Sequence, residues 1–206
     1  MKTLKLSGCG LLLALFLSGC STVETMTTPV YIQEFKNAGT ISVVGAVAEV
    51  SYSSEFLRFK HRIEQKLAAN GYTIASSPSS AEYIAFVTYG IDDGQNAVVS
   101  TPIIGQTGTT TSLHGASSYT MPSYGAVGSN TKATAQFTRA IALDIVAAVS
   151  IREGHPQKVY EMRAKSIGSC SAVAGVFDEI LQAMFEDFPG QSGKSRTITV
   201  PFKGGC

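Results

Sequence analysis

The sequence has little charge, few histidines and no long apolar run. Charged residues make up 15% of its 206 residues, and 16 basic side chains nearly balance 15 acidic ones. Without a basic excess to neutralise phosphates, the chain has no electrostatic basis for binding nucleic acid. The apolar run at residues 11–17 is too short to span a bilayer as a permanent helix. We therefore expect neither a nucleic-acid partner nor a transmembrane helix.

Residues that usually carry catalysis or metal binding are also scarce. His61, His114 and His155 have no partners at zinc-ligand spacing, and no Gly-x-Ser-x-Gly elbow is present. The tripeptide Gly-Lys-Ser at 193–195 matches the end of a phosphate-binding loop, but that motif needs a glycine where Phe188 stands. We expect no enzyme activity, no catalytic residue, no metal and no cofactor.

The first 20 residues carry a targeting pattern. Lys2 and Lys5 precede the apolar run, which ends in Leu-Ser-Gly-Cys at 17–20. This order is typical of a secretory signal peptide, here residues 1–19. The last four residues resemble the lipobox of bacterial lipoproteins, a family in which the cysteine is alkylated with diacylglycerol, freed by cleavage and then acylated. The resemblance implies cleavage between Gly19 and Cys20 and lipidation of Cys20.

The same resemblance implies a location. Ser21, rather than an aspartate, would be the second residue of the mature chain, which in the Gram-negative lipoprotein system implies sorting to the outer membrane. Removing residues 1–19 takes away Lys2 and Lys5 and no acid, which leaves 187 residues with 14 basic and 15 acidic side chains. Each buried methylene contributes about 0.8 kcal/mol, so several acyl chains give a stable anchor. We expect a lipid anchor in the outer membrane, with the protein facing the periplasm or the cell surface.

Two cysteines remain after Cys9 leaves with the signal peptide and Cys20 takes lipid. Cys170 and Cys206 then share an oxidising compartment in which disulfides persist. Cys206 ends a flexible tail that reaches Cys170 if the final strand ends near the second helix. A disulfide between them is one expectation, and a free pair or an intermolecular bridge is the alternative.

Hydrophobic periodicity divides the mature chain into a tether and one domain. Residues 20–39 are expected to form the lipidated N-terminus and tether, and residues 40–206 a single α+β domain. Its expected elements are strands at 40–47, 72–75, 83–91, 137–151, 158–165 and 197–202, and helices from Ser54 to Asn70 and from Ser171 to Pro189. They predict a two-layer sandwich, a mostly antiparallel sheet of about five strands with two helices on one face.

An unusual insertion interrupts this domain. Residues 94–131 contain no Asp, Glu, Lys or Arg in 38 positions. Their Gly, Ser and Thr content predicts a segment outside the core, either a hairpin extension or a mobile loop. An uncharged surface with Tyr119 and Tyr124 also suits contact with a protein partner or a cell-wall glycan. The preceding Asp-Asp-Gly at 92–94 predicts a turn rather than a cation site.

Several short motifs of the domain are shared with one family of lipoproteins. They are Phe-Glu-Asp-Phe-Pro-Gly at 185–190, Ser-Gly-Lys at 192–194, Thr-Ile-Thr-Val-Pro at 197–201, Asn-Gly-Tyr at 70–72 and Ala-Glu-Tyr at 81–83. Through them the chain resembles the domain of unknown function 4136 family over about residues 40–201. The resemblance implies fold and location only, since the family's function is unassigned.

Together these patterns predict a lipid-anchored envelope protein that binds a protein partner in the envelope or has a structural role there. One alternative is an accessory or small-ligand-binding subunit of an envelope transport system, with a pocket between sheet and helices. The third is an enzyme acting on the cell wall. Cys20 is the residue to which the sequence most directly assigns a function.

Overall fold

The computed structural model describes residues 21–47, 51–114 and 117–206. These residues form eight strands and three α-helices, the α+β class that the periodicity predicts. In chain order the elements are β1 (Thr22–Tyr31), β2 (Gly39–Gly45), α1 (Ser54–Ala69), β3 (Tyr72–Ile74), a 3₁₀ turn (Pro78–Ser80), β4 (Tyr83–Ile91), β5 (Gln95–His114), β6 (Ser117–Ala147), α2 (Ala148–Arg152), β7 (Lys158–Gly168), a second 3₁₀ turn (Val173–Gly175), α3 (Phe177–Phe185) and β8 (Arg196–Pro201).

Seven of the described strands form one mixed sheet in the order β3-β2-β4-β6-β7-β1-β8. β2 runs parallel to β3 and β4, whereas the other neighbours are antiparallel. β5 lies outside this order and pairs with β6. The sheet is therefore mostly antiparallel, as predicted, but it has more strands than the five expected.

The two longer helices cover the same face of this sheet. The Phe56 N–H donates to the Ser53 hydroxyl at 3.0 Å, and this N-cap starts α1. Phe59 of α1 and Phe177 of α3 stack with their ring centroids 3.7 Å apart, which joins the helices over the sheet. The largest fully buried side chains of this layer are Ile41, Val43, Phe56, Ile63, Leu67, Val87, Ile141, Leu143, Ile145, Tyr160, Ile180 and Leu181.

The structure corrects the predicted tether at 20–39. β1 begins at Thr22 and lies inside the sheet, between β7 and β8. Val23, Thr25 and Thr27 are buried on one face of this strand. A threonine-rich strand has few large apolar residues and therefore looks like a tether, although threonine favours strands.

The strand expected at 137–151 is longer at its start and shorter at its end. β6 ends at Ala147 and α2 follows at once. In α2 the Ser150 hydroxyl donates to the Ala147 carbonyl at 2.6 Å and accepts from the Gln157 N–H at 2.8 Å. These contacts fix the connection to β7, which apolar alternation alone does not reveal.

The second long helix is shorter than expected. Ser171, the expected first residue, lies before a 3₁₀ turn, and α3 begins only at Phe177. The helix ends at Phe185 instead of reaching Pro189. Its buried residues nevertheless include Ile180 and Leu181, so the apolar side of the helix faces the core.

Candidate functional site

The predicted cleavage and lipidation residues, Gly19 and Cys20, lie outside the described residues. Sheet pairing starts immediately after them, because the Phe202 N–H donates to the Ser21 carbonyl at 2.9 Å. A group attached to Cys20 would therefore be joined directly to the end of the sheet. None of the helices in the described part of the chain is long and apolar enough to cross a membrane.

Cys170 and Cys206 are joined by a disulfide, with their Cα atoms 5.4 Å apart. Cys170 is buried beyond the end of β7, and Cys206 belongs to the tail that follows β8. The bond closes a loop between residues 36 positions apart. It therefore ties the tail after the last strand to the segment that leads into α3.

The uncharged insertion forms a two-stranded ribbon, which we call the arm: β5 together with residues 117–136 of β6. Its antiparallel pairs run from Gln95 and Gln136 at the root to His114 and Ser117 at the tip. At roughly 3.3 Å per residue, a strand of this length spans about 65 Å. Of the two expected forms, hairpin extension or mobile loop, the structure has the hairpin.

The middle of the arm exposes apolar side chains. Ile103, Ile104 and Val127 are 51%, 64% and 55% exposed, respectively. Ile103 pairs with Gly128 and Ile104 with Ala126, and Val127 lies between these partners at the register shift. An isolated two-stranded ribbon is marginally stable in water, and a free strand edge is a template for another strand. The arm therefore has both the apolar contact area and the free main-chain groups that a partner needs.

Asp92 fixes the root of the arm. Its Oδ1 accepts hydrogen bonds from the Thr138 N–H at 2.8 Å and the Gly94 N–H at 3.1 Å. The bond from Thr138 holds the pKa of the Asp92 carboxyl below its usual range. Gly94 has a φ of +79°, and a Cβ there would lie 2.6 Å from the Phe137 ring. The turn predicted at 92–94 is wrong. Ile91 pairs with Arg139 and Gln95 with Gln136, so β4 and β5 run in the same direction along β6 and the Asp-Asp-Gly segment is a bulge between them.

The arm and the start of β1 lie at the same end of the sheet. β6 passes from the arm into the sheet at Phe137, which pairs with Gly168 at the end of β7. β1 is antiparallel to β7 and starts at Thr22, opposite Pro201 at the end of β8. We call this edge, marked by Thr22, Phe137, Gly168 and Pro201, the anchor end.

A cavity of about 640 Å³ lies on the helix side, between α1 and the start of α3. Arg58, His61 and Arg62 line it, and Arg62 Nε lies 3.7 Å from Asp178 Oδ1. His61 Nε2 is 3.0 Å from Gln65 Nε2. Within the described ranges, no three His, Cys, Asp or Glu side chains are grouped as metal ligands. The cavity is thus a solvent-facing groove with one weak, exposed ion pair among the residues described.

The Gly-Lys-Ser tripeptide at 193–195 lies in the turn before β8. The Gly193 N–H donates to the Pro29 carbonyl at 2.7 Å, and strand β8 begins at Arg196. A phosphate-binding loop presents its amides from the start of a helix. The sequence match is therefore not such a loop.

No protein-family model and no curated protein matches the chain. Among solved structures, the chain is similar to the crystal structure of a PDZ domain protein from Parabacteroides distasonis ATCC 8503, with 11% sequence identity and a TM-score of 0.49. The similarity covers 88% of this chain and 40% of that protein, so the chain spans less than half of its length. Neither a family nor a function follows from this likeness.

Proposed function

We propose that this protein is a lipid-anchored protein of the bacterial outer membrane that binds another envelope protein through its arm. The observation that carries the proposal is the arm itself. It has 20 residues in β5, no charged side chain from 94 to 131, and no described strand on the outer edge of β5. Lys132, near the root, is the one Lys, Arg, Asp or Glu within the arm.

Binding would use the edge of β5. An extended segment of the partner adds as a third strand and makes main-chain hydrogen bonds along that edge, while its side chains supply specificity. Ile103, Ile104 and Val127 lose contact with water when the partner packs on them, and burial of apolar area is favourable. A third strand also stabilises a ribbon that is marginal alone.

The anchor end supports a partner near the membrane. The arm leaves the sheet at the same end as Ser21. Acyl chains on Cys20 would hold that end close to the bilayer, and with it the root of the arm. The partner is therefore expected to be embedded in the outer membrane or to lie next to it.

Site-specific photo-cross-linking in intact cells tests the binding surface. A photoreactive residue at Ile104 or Val127 should give a discrete heavier adduct, whereas the same residue at Leu57, which is 53% exposed on α1, should not. Adducts of twice the chain's own mass would identify the partner as a second copy. Equal labelling from Leu57, or none from both arm positions, would contradict the proposal.

Lipidation is tested separately. A Cys20→Ala variant should no longer sediment with membranes, and a globomycin-type inhibitor of lipoprotein processing should accumulate a heavier precursor. Cys9→Ala is the matched control, since Cys9 lies within the predicted signal peptide, and it should behave like the unaltered protein. An unacylated Cys20 in the native protein, seen by mass spectrometry, would refute the anchor.

A small-ligand-binding or accessory subunit of an envelope transport system is a second candidate. It is favoured by the groove of about 640 Å³ between α1 and α3, which is within the usual range of ligand pockets. The solubilised protein should then co-purify with a transporter component, and Leu57→Lys in the groove should lose it. Recovery of the chain alone would count against this candidate.

A further inference from the structure

A buried guanidinium lies at the anchor end. Arg139 of β6 is only 2% exposed. Its Nη1 donates to the Cys170 carbonyl at 3.1 Å and its Nη2 to the Ser166 hydroxyl at 3.1 Å. Its Nε has no hydrogen-bond partner in the described residues. Both partners are neutral, and no ion pair of Arg139 is found in the described part of the chain.

This arrangement is costly without a counter-ion. A buried charge that lacks an opposite partner destabilises the fold, and arginine does not lose its proton to avoid the cost. Burial lowers the pKa of the Arg139 guanidinium, and the negative charge of Asp92 acts in the opposite direction. The Asp92 carboxylate is itself bonded to the Thr138 and Gly94 N–H groups. Arg139 therefore keeps its charge and an unsatisfied Nε–H.

A cavity of about 180 Å³ adjoins this side chain. Ser21, just before β1, and Ser169, just after β7, line it together with Arg139 and with Cys206 of the disulfide. Liquid water occupies roughly 30 Å³ per molecule, so the cavity has room for a phosphate-sized group and some water. The guanidinium is thus buried from bulk solvent but next to a space that a ligand can enter.

Gly168 also contributes to this geometry. A Cβ at that position would lie 3.0 Å from Nη2 of Arg139. Since glycine leaves this space open, the guanidinium fits closely against the end of β7. Its position is therefore set by the backbone of two neighbouring strands.

We infer that the cavity binds a phosphate group through Arg139. A guanidinium presents planar N–H donors that match phosphate oxygens, and such charge-assisted hydrogen bonds are stronger than neutral ones. A phosphate group in the cavity would lie next to the guanidinium and neutralise its charge. The hydroxyls of Ser21 and Ser169 offer further donors.

The phosphate can come from two sources. Free inorganic phosphate is one, and the headgroup of a phospholipid is the other. The headgroup source rests on the proposed lipid anchor, which would place Ser21 beside the bilayer, whereas the phosphate site itself does not depend on it.

The first test follows the side chain directly. Residues 21–206, which contain the whole sheet and its helices, are titrated with inorganic phosphate at constant ionic strength while the ¹⁵N resonance of Arg139 Nε–H is recorded. We expect a saturable shift, and a Tm increase of about 3 to 6 °C at roughly ten times the Kd. Chloride at equal ionic strength should cause neither. No shift, or an equal one with chloride, would overturn the inference.

Variants distinguish phosphate binding in this cavity from a general effect of charge on the protein. Ser169→Phe fills the mouth of the cavity from an exposed position and should weaken phosphate binding at least about tenfold, while Ser169→Ala should not. Arg139→Met should abolish binding, and Arg58→Met, which removes an arginine from the other groove, should leave it unchanged. If Arg139→Met does not fold, the serine pair still decides, because unaltered affinity in Ser169→Phe would contradict the site.

Vesicles identify the source. The same protein is mixed with phosphatidylcholine vesicles that contain or lack phosphatidic acid. Arg139-dependent binding to the phosphatidic acid vesicles would assign the site to a headgroup. Phosphate binding without vesicle binding would assign it to free phosphate, and the absence of both would refute it. Loss of the phosphate site would not affect cross-linking from the arm, so the two proposals fail independently.

Discussion

The body of the protein, residues 22–91 and 137–206, and the arm differ in what holds them together. In the body a seven-stranded sheet packs against two helices. A disulfide joins the segment after β7 to the tail after β8. In the arm, cross-strand pairing is the main organising contact. We infer that the interactions that stabilise the fold are concentrated in the body, while the arm contributes surface for contacts.

Charge follows the same division. The body carries a network in which Asp144 lies beside Arg163 and 2.9 Å from Lys158 Nζ. In the arm, Lys132 is the one Lys, Arg, Asp or Glu. Charged side chains on a free strand edge discourage pairing with another chain. Their scarcity in the arm is the reason to assign binding to that region.

The largest expected effect is in the core of the body. Phe59→Ala removes the ring that stacks on Phe177, and a buried phenylalanine costs about 3 to 5 kcal/mol when truncated to alanine. Urea denaturation should show this loss in the free energy of unfolding. A loss below about 1 kcal/mol would mean that the two helices are not joined through this contact.

The disulfide should have the next largest effect. It closes a loop between residues 36 positions apart, and the chain-entropy model gives about 2 to 4 kcal/mol for such a constraint. The double variant Cys170→Ser, Cys206→Ser should unfold at lower urea than the oxidised protein. Reductant should shift the unaltered protein and leave the variant unchanged. A reductant-insensitive unaltered protein would show that the body does not need the bond.

Asp144→Asn should have a smaller, pH-dependent effect. Partial burial alone raises the pKa of Asp144, but hydrogen bonds from Arg163 and Lys158 outweigh it and the net pKa lies below its ordinary value. A lowered folded pKa stabilises the protein above the unfolded pKa, near 3.9, and this contribution is lost as the pH falls through the folded pKa. Because solvent screens the pair, we expect about 1 kcal/mol at pH 7.

The measurement is the free energy of unfolding from pH 7 to pH 2. The difference between Asp144→Asn and the unaltered protein should shrink toward zero below about pH 4. Glu153→Gln, in an exposed turn, is the control and should show little difference at any pH. A difference for Asp144→Asn that is constant across this range would show that its ion pairs do not stabilise the body.

The smallest expected effect lies in the arm. Ile104 is 64% exposed, so Ile104→Ser should change the free energy of unfolding by less than about 0.5 kcal/mol. The same change should reduce adduct formation from a photoreactive residue at Val127. A loss of stability above about 1 kcal/mol would place the arm within the cooperative fold and remove the contrast with the body.

Much of the body can be predicted because its apolar residues recur at the spacing of helices and strands. Phe56, Phe59, Ile63 and Leu67 give α1 its buried face, and alternate residues of β6 do the same for the sheet. β1 was not predictable from apolar size, since its buried positions include two threonines. The signal that marks it is the alternation of Val23, Thr25 and Thr27 in a strand-favouring composition.

Arg139 shows what periodicity leaves out. In the alternation of β6 it falls on the same face as the buried Ile141, Leu143 and Ile145. A charged residue on an apolar face is the one feature of the sequence that points to an unusual site here. That pattern does not show that Ser166 and the Cys170 carbonyl meet the guanidinium, because these contacts come from a neighbouring strand and the segment after it. Pairing across distant parts of the chain, rather than local propensity, builds this end of the sheet.

Excision of the arm tests the division between body and arm most directly. Residues 97–134 are replaced by Asn-Gly, which closes a two-residue hairpin between Asn96 and Ala135, a pair in the register of the full arm. We predict a free energy of unfolding within about 0.5 kcal/mol of that of the full chain, and loss of any envelope protein that co-purifies with the full chain. A body that no longer folds, or a partner that is retained without the arm, would contradict this division.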